Sequence, residues 1–307
     1  MLRCLVIVGL LLLCGGAAPA ATDATSDELT RILNEWKPTD AQKSQLKSLM
    51  SQVVAAEDGG VAVMQRILGN PRQKNSGVVF DTLREVAAPQ REKLLVGLLT
   101  CVPELSQDIR SSCAFHLAAT TRRCGSEDLF KRVKGIGSPD ETAIALAGAF
   151  AESRKAEVQS LAIKWADTLI KPNEGEEDGS LHDMLVELLG LVKTDACNAA
   201  LLRYLDMCWE GDMACTVLKA VESLATCKYS PSFNRLKVIA QERDPLDIHV
   251  RLAALRGVAE MAQPQQADEL IAISISISKS VDPMPAESQH SLDRILARLR
   301  NLKNAGK

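Results

Sequence analysis

From residue 26 onward, nearly every segment of this chain places its apolar residues at helical spacing. LKSLMSQVVAA (46–56), EKLLVGLLTC (92–101) and SLHDMLVELLGLV (180–192) carry the pattern. Ser, Thr or Asp with acids close behind marks starts, as in Thr25-Ser26-Asp27-Glu28 and Ser138-Pro139-Asp140-Glu141. Gly, Asn or Pro marks stops, as at Gly69-Asn70-Pro71. The reading predicts roughly fifteen helices of about ten to eighteen residues, joined by short turns. Strands do not alternate with helices, which disfavours a parallel α/β sheet. The predicted class is all-α with no sheet, and residues 21–307 are taken as one domain.

One segment dissents. IAISISIS (271–278) alternates at the period of a half-buried strand. A lone strand has no partner in an all-helical chain. As a helix the segment aligns Leu270, Ile273, Ile277 and Val281 in one stripe, widened by Ile271 and Ile275, and helix is the prediction.

The clearest helix pair lies in SPSFNRLKVIAQERDPLDIHVRLAALRGVAEM (230–261). One helix ends near Glu242, and Asp244-Pro245 opens the next, because proline suits a first helical turn. Val250-Arg251 is followed by Ala253, Ala254, Leu255 and Val258. This resembles the HEAT repeat family, whose second helix carries a Val-Arg-x-Ala-Ala core. Weaker echoes occur at Asp108-Ile109-Arg110 with Cys113, Ala114 and Leu117, at Val158–Ile163, and near Met213–Val221. The likeness covers residues 90–262. It implies an α-solenoid of antiparallel helix pairs, a HEAT-like superhelix, in which Arg251 reaches an acid of an adjacent repeat or loop.

CNAALLRYLDMCWEGDMACTVLKAVESLATC (197–227) holds four cysteines. Residues 195–208 and 212–227 are helical by pattern, with Glu210-Gly211-Asp212 as the turn between them. In an antiparallel hairpin, residues equidistant from the turn face each other. Cys197 with Cys227, and Cys208 with Cys215, share that turn as midpoint, so disulfides 197–227 and 208–215 are expected. Pairing 197 with 208 is excluded on a single helix, where roughly 16 Å separates them. In the other cluster Cys113 can pair with Cys101 or with Cys124, and the pair across the Pro103 turn, 101–113, is the one expected. Cys124, beside Gly125, is the candidate free and exposed thiol. Trp209, at the hairpin tip, is either an exposed partner anchor or a packed residue sealing the turn; Trp36 and Trp165 read as core.

The N-terminus reads MLRCLVIVGLLLLCGGAAPA, with a positive Arg3, an apolar run over 4–14 and a small-x-small site at Ala18-Pro19-Ala20. That describes a signal peptide over residues 1–20, cleaved near Ala20, and hence a secreted or periplasmic protein. A lipid anchor on Cys14 is the weaker reading, since lipoprotein signals want a small residue where Leu13 stands. Export implies an oxidising compartment that favours thiol pairing.

Catalytic constellations are missing from the sequence. His116, His182, His249 and His290 form no His-Glu-x-x-His, and there is no Gly-x-Ser-x-Gly or Walker loop. The Ser-x-x-Lys strings at Ser44–Lys47 and Ser276–Lys279 lack companion motifs. Glu174, Glu176, Glu177 and Asp178 lack the spacing of a calcium loop and read as a solvated connection. No Cys-x-x-Cys suggests zinc. No cofactor or metal is expected. Net charge of −3 supplies no basic field for nucleic acid, and membrane contact is expected only through the signal peptide.

The expected function is therefore an exported, non-catalytic scaffold that binds another protein through a concave helical surface. The first alternative is a structural subunit of an envelope complex, cross-linked through Cys124. The second is an enzyme whose helical cleft gathers His116 or His249 with carboxylates.

Overall fold

The computed structural model describes residues 19–34, 39–56, 58–69, 76–101, 105–169, 179–210, 214–242, 248–281 and 283–306. Among them are sixteen α-helices, two three-residue 3-10 turns and no strand. The predicted signal segment lies outside the described residues except for Pro19 and Ala20, as do Trp36, the 174–178 acids and Asp244-Pro245. No helix among the described residues is long and apolar enough to cross a membrane.

By packing, the chain divides into two compact units and passes between them within one helix. The first unit runs to Gly137 and takes in Ala145–Ser153; the second holds Ser138–Ile144 and Arg154 onward.

The first unit contains α1 (Pro19–Leu33), α2 (Asp40–Ala55), α3 (Asp58–Leu68), α4 (Ser76–Leu83), α5 (Ala88–Cys101), α6 (Gln107–Thr120) and α7 (Glu127–Lys134). It also holds the second half of α8 (Glu141–Ala149). Helix α3 packs between α1 and α5, α5 also meets α7, and α4 packs between α2 and α6. Local sequence sets the ends. Thr39 and Gln42 form a reciprocal capping box on α2, and the Ser126 hydroxyl accepts from the Leu129 N–H to cap α7. The start expected at Thr25–Glu28 falls inside α1. Pro19 suits a first turn and no breaker follows it, so the helix is already formed when it reaches Ser26, which is buried. After α8 the chain folds back on the segment after α6: Cys124 N–H donates to Ala149 O and Glu152 N–H to Arg122 O.

The second unit is more regular. It contains α9 (Lys155–Leu169), α10 (Gly179–Val192), α11 (Asp195–Glu210), α12 (Ala214–Cys227), α13 (Phe233–Gln241), α14 (Ile248–Met261), α15 (Ala267–Ser280) and α16 (Ala286–Ala305). Successive helices pair as α9 with α10, α11 with α12, α13 with α14 and α15 with α16. The second members form one row, α10 on α12, α12 on α14, α14 on α16. They begin at Gly179, Ala214, Ile248 and Ala286, at intervals of 35, 34 and 38 residues. The first members make the other row, with α9 on α11 and α13 on α15. The echo at Val158–Ile163 falls on α9, in the row opposite α12 and α14, and so is out of phase with the pattern at Val250–Val258.

An acid–base pair crosses every step of both rows. In the first row these are Asp167–Arg203 at 2.9 Å, Asp206–Arg235 at 2.7 Å and Glu269–Lys237 at 3.0 Å. In the second row Lys219 meets Glu187 at 2.7 Å and Asp183 at 3.1 Å, Arg256 meets Glu222 at 3.7 Å, and Arg298 meets Glu260 at 3.1 Å. Burial pulls the Lys219 pKa down. Its hydrogen bonds to Glu187 and Asp183, with their charges, outweigh that and leave it above the ordinary value. Each pair is partly exposed and worth about 0–1 kcal/mol, so their part is to fix register more than to hold the rows together. The larger stabilisation is apolar burial between the rows, where Trp165, Tyr204, Leu224 and Leu255 are completely enclosed.

Residues 271–278 are helical, within α15. Leu270, Ile273 and Ile277 are buried as the stripe requires, but Ile275 is 42% exposed. Ser274 takes the inward position and satisfies itself by donating to the Leu270 carbonyl at 2.8 Å.

Candidate functional site

On the second row, α12, α14 and α16 each turn one face toward a shared groove. Helix α12 contributes Leu218 and Glu222, four residues apart. Helix α14 contributes His249, Leu252, Ala253 and Arg256, the i, i+3, i+4, i+7 positions of one helical face. Helix α16 contributes Glu287, Ser288 and Ser291 from its first two turns. Together they line a cavity of about 300 Å³, which lies at the small end of ligand-sized clefts.

The lining is mixed in character. Leu218, Leu252 and Ala253 give an apolar floor. Glu222, Arg256, His249 and Glu287 give charged or titratable walls, with Arg256 and Glu222 loosely paired at 3.7 Å. Ser288 is the unusual member. It is 2% exposed, and its hydroxyl has no hydrogen-bond partner among the described residues. A buried hydroxyl left unpaired costs about 1–3 kcal/mol. A ligand group able to bond it recovers part of that cost.

The groove brings His249 together with two carboxylates. Because the Ser288 hydroxyl has no partner, it is not hydrogen-bonded to His249 and lacks the base that an activated nucleophile needs. His116 lies in the first unit, stacked on Phe80 with ring centres 4.9 Å apart. Burial, then the charges of Arg84 and Arg91, hold its pKa below the ordinary value, partly offset by Asp81. His182 is buried and shares a hydrogen bond with Tyr204.

The cysteines differ from expectation. Cys113, Cys197 and Cys227 stand as thiols, not as halves of a bridge; the side chains of Cys101 and Cys215, the expected partners of Cys113 and Cys208, lie outside what the structure describes. The helices do form as expected, with α11 ending at Glu210 and α12 starting at Ala214; the intervening 211–213 lie outside the described residues. Cys113 and Cys208 are fully enclosed as small core residues. Cys227 turns its sulfur toward the Gly190 carbonyl of α10, 3.9 Å away. Cys124 is a free thiol but not an exposed one, at 1% exposure. The chain returning from α8 covers it, and the Ser153 hydroxyl donates to its carbonyl at 2.9 Å. Burial raises its pKa and closes its sulfur to another chain.

Trp209 is half-buried beneath Arg235, whose guanidinium carbon lies 4.9 Å from the ring centre. It is capped from within the fold and so does not stand out as an anchor. Arg251, the residue that carries the repeat-like pattern, is 3% exposed. It donates to the Ala240 carbonyl at the end of α13 and to the Ser280 hydroxyl at the end of α15. The sequence gives no sign of the convergence of Leu218, Glu222, Glu287 and Ser291, because helical spacing within one helix says nothing about its neighbour's face.

No protein-family model, curated protein or solved structure matches the chain.

Proposed function

We propose that this chain is an exported, HEAT-like α-solenoid that binds another protein along the face made by α12, α14 and α16, without catalysis. The observation that carries the reading is the groove with its buried, unpartnered Ser288 hydroxyl. Further support comes from the 34–38-residue interval of the second-row helices, which suits a tandem repeat of helix pairs. Export rests on the charge and apolar pattern of residues 1–20. The partner we envisage presents an extended polar segment. Its main chain bonds Ser288, and its side chains meet Glu222, Arg256 and Glu287.

The test is affinity capture from the envelope or secreted fraction of the cells that make the protein. The baits are the wild type, a groove variant (Arg256→Glu with Ser291→Arg) and a first-row control (Lys279→Glu). A partner held by wild type and control but lost by the groove variant supports the reading. Equal retention by all three contradicts it.

A second reading, a general acid–base site at His249, is favoured by its nearness to Glu222 and Glu287. It requires that His249→Gln abolish a measurable turnover while leaving partner capture intact.

A further inference from the structure

We propose that Cys197 and Cys227 are an oxidisable dithiol pair, which a low-molecular-weight disulfide such as glutathione disulfide converts slowly to a reversible bridge across the open end of the α11–α12 hairpin. Cys197 sits in the first turn of α11, and Cys227 is the last residue of α12. The two helices pack against each other, so both thiols lie at the end remote from the connection at 211–213. They are electrostatic neighbours: charge on Cys227 raises the pKa of Cys197. Among the described residues, the polar contact of the Cys227 sulfur is a long one, 3.9 Å to the Gly190 carbonyl, and a weak restraint on rotation about its side chain.

The environments assign the roles. Cys227 is partly exposed, whereas Cys197 is completely enclosed. An external disulfide can therefore reach only Cys227. Burial raises both thiols. Lys193 acts against this at Cys227; at Cys197 the Thr194 hydroxyl and then Lys155 act against it. Lys193, at φ 53°, is held in the left-handed region directly after α10.

The chemistry balances in two exchanges. The Cys227 thiolate attacks one sulfur of glutathione disulfide, forms the mixed disulfide and expels one glutathione thiolate. Cys197, giving its proton to that thiolate or to solvent, then attacks the Cys227 sulfur and expels the second glutathione. Two protein thiols are oxidised to one bridge, and one glutathione disulfide is reduced to two glutathione thiols. Excess glutathione reverses both steps.

The experiment equilibrates the full chain across a series of glutathione disulfide to glutathione ratios, traps remaining thiols by alkylation and maps peptides by mass spectrometry. The expected result is a linked 197–227 peptide that grows with the ratio and disappears on reduction. It is accompanied by a melting shift of roughly 5–10 °C for the second unit. Cys197→Ala, which fits a buried site without adding a polar group, is expected to stop at the mixed disulfide on Cys227. Cys227→Ser is expected to show neither adduct nor bridge at Cys197. The proposal is overturned if the wild type stays reduced at every ratio, if Cys227 links to a different cysteine, or if Cys197→Ala takes up no glutathione. Circular dichroism of each variant confirms that the helices are intact before the exchange is read.

Discussion

Gly257 of α14 lies directly against Ala225 of α12. A Cβ added at Gly257 would stand 2.7 Å from the Ala225 Cβ, 3.1 Å from its Cα and 3.2 Å from Leu236 Cδ1. Gly190 of α10 meets Ser223 of α12 in the same manner, with an added Cβ 2.5 Å from Oγ and 2.8 Å from Cβ. Small residues thus set the spacing of the second row on both sides of α12. Gly257→Ala gains about 0.5–1 kcal/mol of helix propensity, but the clash is with backbone and Cβ atoms that cannot rotate away, and overpacking costs about 1–3 kcal/mol. The expected outcome is a net loss, read as a lower urea midpoint with an unchanged slope.

Arg251 ties three helices through its guanidinium. Arg251→Met keeps the stem volume and removes the donors to Ala240 and Ser280. The loss is expected to be about 2–3 kcal/mol, since hydrogen bonds from a charged group are the costly ones to delete. Arg251→Lys is expected to recover only part of it, because one ammonium cannot reproduce the fork. Urea denaturation of the three proteins side by side checks this.

Cys113 makes the protein sensitive to alkali. Burial pushes its pKa up to about 12. Below the unfolded thiol value of about 8.5 both states hold the proton. As pH rises above it, the unfolded chain releases a proton that the folded chain keeps, so stability falls until the folded pKa is passed. At pH 10.5 the loss from this residue is about 2–3 kcal/mol. Cys113→Ala, compared with wild type at pH 8 and pH 10.5, is expected to lose less on the pH change.

His116 acts at the other end of the scale. Its folded pKa lies below the ordinary value, so its contribution is present above about pH 6.5 and is lost as pH falls through the folded value. His116→Phe keeps a ring against Phe80 and is expected to flatten the acid limb of the stability profile. Melting temperatures between pH 4 and pH 7 provide the comparison.

Single-helix features were the legible part of this chain. The hairpin helices of 195–227, the stop at Gly69 and the start at Asp140, whose carboxylate accepts from the Ala143 N–H, follow from local chemistry. The alternating 271–278 run fits the strand period better, but an all-helical neighbourhood offers no strand to pair with, and the helix it forms turns Ile275 outward and Ser274 inward. What was hidden is relational. The division near residues 138–153 has no linker composition to mark it. The second-row interval is carried by packing, with Gly190 and Gly257 among its few local traces. Ser288 looks like any first-turn serine until the packed fold buries it. Cys124 looked exposed beside Gly125 because the segment that buries it arrives some 25 residues later, from the end of α8.

The groove can be tested without knowing its occupant. A benzophenone side chain is placed at residue 291 in the groove or, as a control, at residue 272 of α15, which lines a separate pocket on the first row, and the producing cells are irradiated. The account predicts a discrete higher-mass adduct from residue 291, absent at residue 272 and abolished by Arg256→Glu. An adduct from residue 272 alone, or none from residue 291 while the chain is folded and abundant, would contradict it.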